Sequence, residues 1–214
     1  APTDAWLKEA QAGMPPKAAG ALRIEARCRI DAFRDMEIVA NPAEVEALKA
    51  KHGQAPYLVF PEDRDRPIAL QFELPVAWAV DGPKPEIALK ADRNEYRVFQ
   101  LGLWACRTPL RNLTVVFSDL KDASGNVVLP AAKFQCLTLE SRVKSRYIAK
   151  PSGTFPVPLN EIRALWCGID LPEDMAQGDY TATVAVRPEG APETQLPMRL
   201  SVSGTVVPER GDND

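Results

Sequence analysis

The chain is poor in the residues from which active sites are most often built. Its 214 residues include one histidine, His52, and four cysteines with no Cys-x-x-Cys pair. A metal centre of several histidines is therefore excluded, and a Ser-His-Asp arrangement could form only around His52. No apolar run approaches the ~20 residues that span a bilayer as a helix. Positive charge is not in excess either: the net charge is −3, and no basic stripe of the kind that tracks a nucleic-acid backbone stands out. Aromatics make up 7% of the chain while prolines number 20, a balance that suits a loop-rich β protein. No cofactor is expected. The chain opens Ala-Pro-Thr with no Met and no signal peptide, so a mature chain is expected whose export signal lay upstream. The expected location is secreted, periplasmic or cell-surface.

What is present is a series of strand-like runs. From Glu95 to Val186 apolar and polar residues alternate, with breaks at Pro, Gly, Asn and Asp. This predicts an all-β fold, an antiparallel β-sandwich of Ig-like or galactose-binding-like architecture, with one or two short helices. Strands are expected near 22–30, 95–106, 112–118, 133–139, 162–170, 179–187 and 196–203. In 22–30, Leu22, Ile24, Ala26, Cys28 and Ile30 share one face while Arg23, Glu25, Arg27 and Arg29 share the other. In 95–106, Phe99, Leu101, Leu103 and Ala105 oppose Gln100, Gly102 and Trp104. Tyr57–Phe60 and Ile68–Leu70 look like short strands flanking a charged loop, Pro61 to Pro67.

A helix is predicted over 42–51, with Asn41 as N-cap, Pro42 in the first turn, Glu44 at the positive end of the dipole and Gly53 closing it. Residues 1–20 read as a lead-in segment, 21–207 as the sandwich with a possible sub-boundary near 81–85, and 208–214 as a linker toward a missing C-terminal catalytic domain.

The run Glu95–Ala105, the turn Asp119–Pro130, the strand Ala164–Pro172 and the closing strand Gly178–Val186 resemble the N-terminal β-sandwich domain of glycoside hydrolase family 123-like proteins. Phe60-Pro61-Glu62-Asp63-Arg64-Asp65-Arg66-Pro67-Ile68 and Gly211-Asp212-Asn213-Asp214 also resemble segments of that domain. The likeness covers about 22–214. It implies an exported bacterial protein of glycan degradation whose catalytic barrel, with its adjacent Asp–Glu pair, is a separate module. No residue here matches that pair, so no catalytic role carries over. The implied role is a non-catalytic accessory domain whose partner is its own C-terminal catalytic domain, with glycan a further possible partner.

Two alternatives belong to other classes. A carbohydrate-binding module would grip glycan through exposed aromatics, with Trp78 and Trp166 as candidates. Trp104 and Trp166 sit in strongly apolar runs, where core packing is the default. A stand-alone hydrolase would use Glu62 and Asp63 as a carboxylate pair. The flanking Arg64 and Arg66 instead favour ion pairs, in a loop that orders a turn or docks on a neighbouring domain through Glu62, Asp63, Arg64 and Arg66. His52 reads as a polar residue at a helix end. Asp119, Asp122 and Asn126 lack calcium-loop spacing and suit a turn. Cys28, Cys106, Cys136 and Cys167 read as buried thiols by default, but their even number also permits two disulfides in any of three pairings.

Overall fold

The computed structural model describes residues 36–143, 146–151 and 153–208. The lead-in 1–20, the strand expected at 22–30, Cys28 and the tail 209–214 lie outside the described residues. In chain order the elements are α1 (Pro42–Lys51), β1 (Leu58–Asp63), α2 (Val76–Asp81), β2 (Ile87–Arg93), β3 (Tyr96–Trp104), β4 (Leu110–Phe117), β5 (Leu120–Lys121) and β6 (Val127–Leu129). There follow β7 (Phe134–Val143), β8 (Arg146–Pro151), β9 (Phe155–Val157), β10 (Ile162–Asp170), β11 (Gly178–Glu189) and β12 (Thr194–Val206). They form two sheets. Sheet one runs β1-β3-β10-β7-β8 and sheet two runs β2-β12-β11-β4-β9, with β5 and β6 attached beside β11.

The expected sandwich is present. Its core lies between the sheets and comes from period-two alternation. In β12, Leu196, Met198, Leu200 and Val202 are buried while the residues between them face outward. Leu101, Leu113, Leu165, Ile169, Val184 and Leu200 are wholly buried. In β3 Phe99, Leu101 and Leu103, and just after it Ala105, enter this core, whereas Trp104 joins a second apolar cluster on the opposite face. That division matches the expected one.

Three features depart from the sequence reading. First, β2 pairs with β12 in parallel, with Leu89 opposite Leu200. Asn94 takes φ 60°, and the turn there carries the chain from sheet two into sheet one, so β2 and β3 form no hairpin and β2 is left beside a co-directional strand. Second, β1 runs on through Glu62 and Asp63, paired with Gln100 and Phe99, so the charged segment is partly strand. Third, Ile68–Leu70 is not a strand. Ile68 N–H donates to the Gln100 side chain at 3.0 Å instead of to a strand partner.

The helix α1 forms at the expected residues. Asn41 accepts from Glu44 N–H at 2.9 Å and Glu44 accepts from Asn41 N–H at 2.8 Å, a reciprocal capping box. Leu48 is its buried residue. With α2 and the segments at 36–40 and 64–75, it covers the outer face of sheet one through Met36, Leu48, Phe60, Ile68, Leu74, Trp78 and Trp104. At the entry to β11 the Tyr180 hydroxyl donates to Ala176 C=O at 2.6 Å, a tyrosine-corner contact of the kind that fixes sandwich connections.

Candidate functional site

The densest polar constellation lies where β1 passes under α2. Pro75 opens α2 as a six-residue helix that brings Ala77 and Trp78 down onto sheet one. The Trp78 ring stacks on Phe60, with centroids 4.1 Å apart and planes 5° from parallel. It also lies flat over Gly102, where an added Cβ would fall 2.1 Å from the indole. Glycine at 102 is therefore what lets the ring reach the sheet. The indole N–H donates to Glu62 Oε1 at 2.9 Å, and Lys84 Nζ donates to Glu62 Oε2 at 2.8 Å. Arg66 stands 3.6 Å from the same carboxylate and 3.9 Å from Asp81. Glu62 thus has both oxygens engaged, and its side chain is 3% exposed.

Asp63 is turned away from Glu62, as alternation along a strand requires. It pairs with Arg97 and caps Asp65 N–H at 3.2 Å. Buried Gln100 completes the anchor by donating to Asp63 C=O at 3.0 Å while accepting from Ile68 N–H. Arg64 lies farther out, 3.5 Å from Glu95 with half its side chain exposed. The sequence candidates Glu62, Asp63, Arg64 and Arg66 are thus split between two linked ion-pair groups. Adjacent carboxylates that diverge across a strand, one of them sealed under an indole, cannot flank one glycosidic bond as a hydrolytic pair must.

Of the aromatic candidates, Trp78 is 1% exposed and Trp104 is 2% exposed, so neither offers a face to a sugar ring. Trp166 is half-buried. It lies on β10 opposite Gln100 on one side and Leu137 on the other, on the outer face of sheet one and outside both apolar clusters. The expectation that Trp166 belongs to the core is therefore corrected. Its strand neighbours Leu165 and Cys167 point inward, and the tryptophan points out.

His52 caps the end of α1, its N–H donating to Leu48 C=O at 3.2 Å, and its ring lies against Gly82. A groove of about 520 Å³ opens beside the β5–β6 turn, lined by Asp122, Ser124, Val128, Pro172, Met175 and Tyr180 among others. Three aspartates line it, Asp122, Asp174 and Asp179, and the first is already committed to the turn. Asp122 accepts from Asn126 Nδ2 at 3.1 Å, Asn126 N–H at 2.9 Å and Ser124 N–H at 2.9 Å. These bonds, led by the Asn126 side chain, hold its carboxyl below the usual aspartate range. Asp119 likewise accepts from Ala131 N–H at 2.7 Å. Among the described residues no cluster of His, Cys, Asp and Glu is arranged to hold a metal ion.

No protein-family model and no curated protein matches the chain. Solved structures do. A family 123 glycoside hydrolase from Clostridium perfringens, studied for glycolipid glycan hydrolysis, matches 72% of this chain with a TM-score of 0.56 at 15% identity. The chain covers 28% of that enzyme. At this identity the likeness is one of fold. A PapD-like domain of human CEP192 matches 58% of this chain and 84% of its own length, at 20% identity and TM-score 0.30. A DUF4466 family protein from Parabacteroides merdae matches 67% of this chain and 43% of its own length, at 12% identity and TM-score 0.33. Among the described residues no helix is long and apolar enough to cross a membrane.

Proposed function

We propose that this chain is a non-catalytic β-sandwich domain of an exported glycoside-hydrolase-like protein, and that it packs against and orients a catalytic barrel. The observation that carries this reading is the fold match to a domain-sized 28% of a family 123 glycoside hydrolase. The state of the carboxylates supports it, since a hydrogen bond from Trp78 ties Glu62 to α2, and ion pairs tie Glu62 to Lys84 and Asp63 to Arg97 on β3. Arg64 and Asp65 remain at the rim, where a neighbouring domain could meet them. A second reading, glycan binding, is favoured by one observation: Trp166 is only half-buried on the outer face of sheet one.

The test compares this chain with the full-length gene product. The chain alone should show no turnover of aryl N-acetylgalactosaminides, and amides around 64–65 and 205–207 should exchange more slowly in the full-length protein. Turnover by the chain that vanishes in Glu62→Gln or Asp63→Asn would overturn the scaffold role. Equal exchange in both forms, with glycan protecting Trp166 fluorescence from quenching, would replace it with a binding module.

A further inference from the structure

Three pairings were open for the four cysteines, and the fold brings two of them together. Cys136 on β7 and Cys167 on β10 are directly opposed across an antiparallel pair, so their side chains leave the sheet on the same face. That face is the inner one: Cys167 belongs to the core between the sheets and Cys136 packs against it. Their sulfurs lie 3.7 Å apart. Directly opposed antiparallel residues have Cα atoms about 4.5–5.5 Å apart, inside the about 4.4–6.8 Å range that a disulfide spans. Small χ1 adjustments would therefore bring the sulfurs to bonding distance without moving either strand. Cys106 lies in the other apolar cluster, across sheet one, with its thiol toward Ala55 C=O at 3.4 Å. The sheet itself separates it from the pair.

We propose that Cys136 and Cys167 are a cross-link site that closes a disulfide between β7 and β10 in the presence of a thiol oxidant of the disulfide class, whether a protein disulfide or oxidised glutathione. The reaction is two exchanges. The Cys136 thiolate attacks one sulfur of the oxidant, expelling one thiolate and leaving a mixed disulfide. The Cys167 thiolate then attacks Cys136 Sγ, expelling the second. Two protons leave the protein, and two electrons reduce the oxidant to two thiols. The order follows from access, since Cys136 is half-buried and Cys167 is 1% exposed. Burial, reinforced by the neighbouring Cys136, also raises the Cys167 thiol well above its ordinary range, so the second exchange is the slow one. Once closed, the bond would staple the β7–β8 hairpin and the chain as far as β10 into one loop.

The experiment starts from protein fully reduced with a phosphine and equilibrated with excess oxidised glutathione. Free thiols are then alkylated and the peptides mapped by mass spectrometry without reduction. The expected result is one cross-linked peptide joining Cys136 to Cys167, alkylated Cys106, and a melting temperature higher by roughly 5–15 °C than the reduced form. Cys167→Ala should stall with glutathione on Cys136, and Cys136→Ser should leave position 167 unmodified. Cys106→Ser should form the cross-link unchanged. The proposal is overturned if both thiols remain alkylatable after equilibration. It is also overturned if wild-type protein stops at a glutathione adduct on Cys136, or if Cys106 appears in the cross-link.

Discussion

The two faces of sheet one are built on different physics. Its inner face meets sheet two through aliphatic side chains such as Leu101, Leu165 and Ile169, all wholly buried. Its outer face meets α1 and α2 through large rings set on a glycine, and it buries polar groups as well, Glu62 and Gln100 among them. Aliphatic packing is roughly additive in area and tolerates swaps of similar volume. The outer layer depends on placement. Trp78 must lie over Gly102 to stack on Phe60, and only there does its N–H meet Glu62. The inner face rests mainly on aliphatic burial, with Arg97 and Thr138 as its buried polar residues, and the outer face on geometry and satisfied polar groups.

The largest effect should come from removing the centre of the outer layer. Trp78→Ala loses a buried ring, at about 3–5 kcal/mol, and takes a hydrogen-bond donor from a buried carboxylate, adding about 1–3 kcal/mol. The denaturant midpoint should fall accordingly. A cost confined to about 1 kcal/mol would mean the outer layer is not a second core. Leu165→Ala removes an inner-face side chain and leaves no polar orphan, so its cost should stay within about 2–5 kcal/mol. If it exceeded Trp78→Ala, the contrast between the faces would be reversed.

Gly102→Ala sharpens the comparison by addition. A single methyl placed 2.1 Å from the indole should cost about 1–3 kcal/mol through displacement of the ring, and near-ultraviolet circular dichroism should report the altered tryptophan environment. Neutral behaviour would show that α2 slides freely on the sheet. The smallest effect belongs to the exposed β5–β6 turn. Hydrogen bonds there lower the folded-state pKa of Asp122, so their contribution is present above the unfolded value of about 3.9 and is lost as pH falls through the lower folded value. Amide shifts of Ser124 and Asn126 should titrate with a midpoint below about 3.9. A midpoint at or above it would detach the carboxylate from the turn.

How much was legible in the sequence differed between the same two regions. The inner face was written in alternation: β3, β4, β7, β10, β11 and β12 fall where the period of two put them, because one buried face per strand leaves a two-residue signature. The α1 boundaries were equally legible, since Asn41-Pro42 and Glu44 act within one turn of chain. The outer layer was harder to read. Pro-Val-Ala-Trp-Ala is too short for a 3.6-residue period to show, so α2 was missed and Trp78 looked available to a ligand. The cluster at Glu62 was recognised as ion-paired. Asp81, Lys84 and Arg97 lie 15 to 34 residues in sequence from the residues they pair with, and no local rule names them.

The sequence by itself determined the all-β class, the faces of the long strands and the capped helix, because these depend on residues within a few positions of one another. The tertiary structure alone decided the parallel pairing of β2 with β12, the burial of Trp78 over Gly102, the outward turn of Trp166 and the meeting of Cys136 with Cys167. Each of these depends on which strands become neighbours. That choice is settled by long-range packing between the sheets, which leaves no periodic mark on either strand alone.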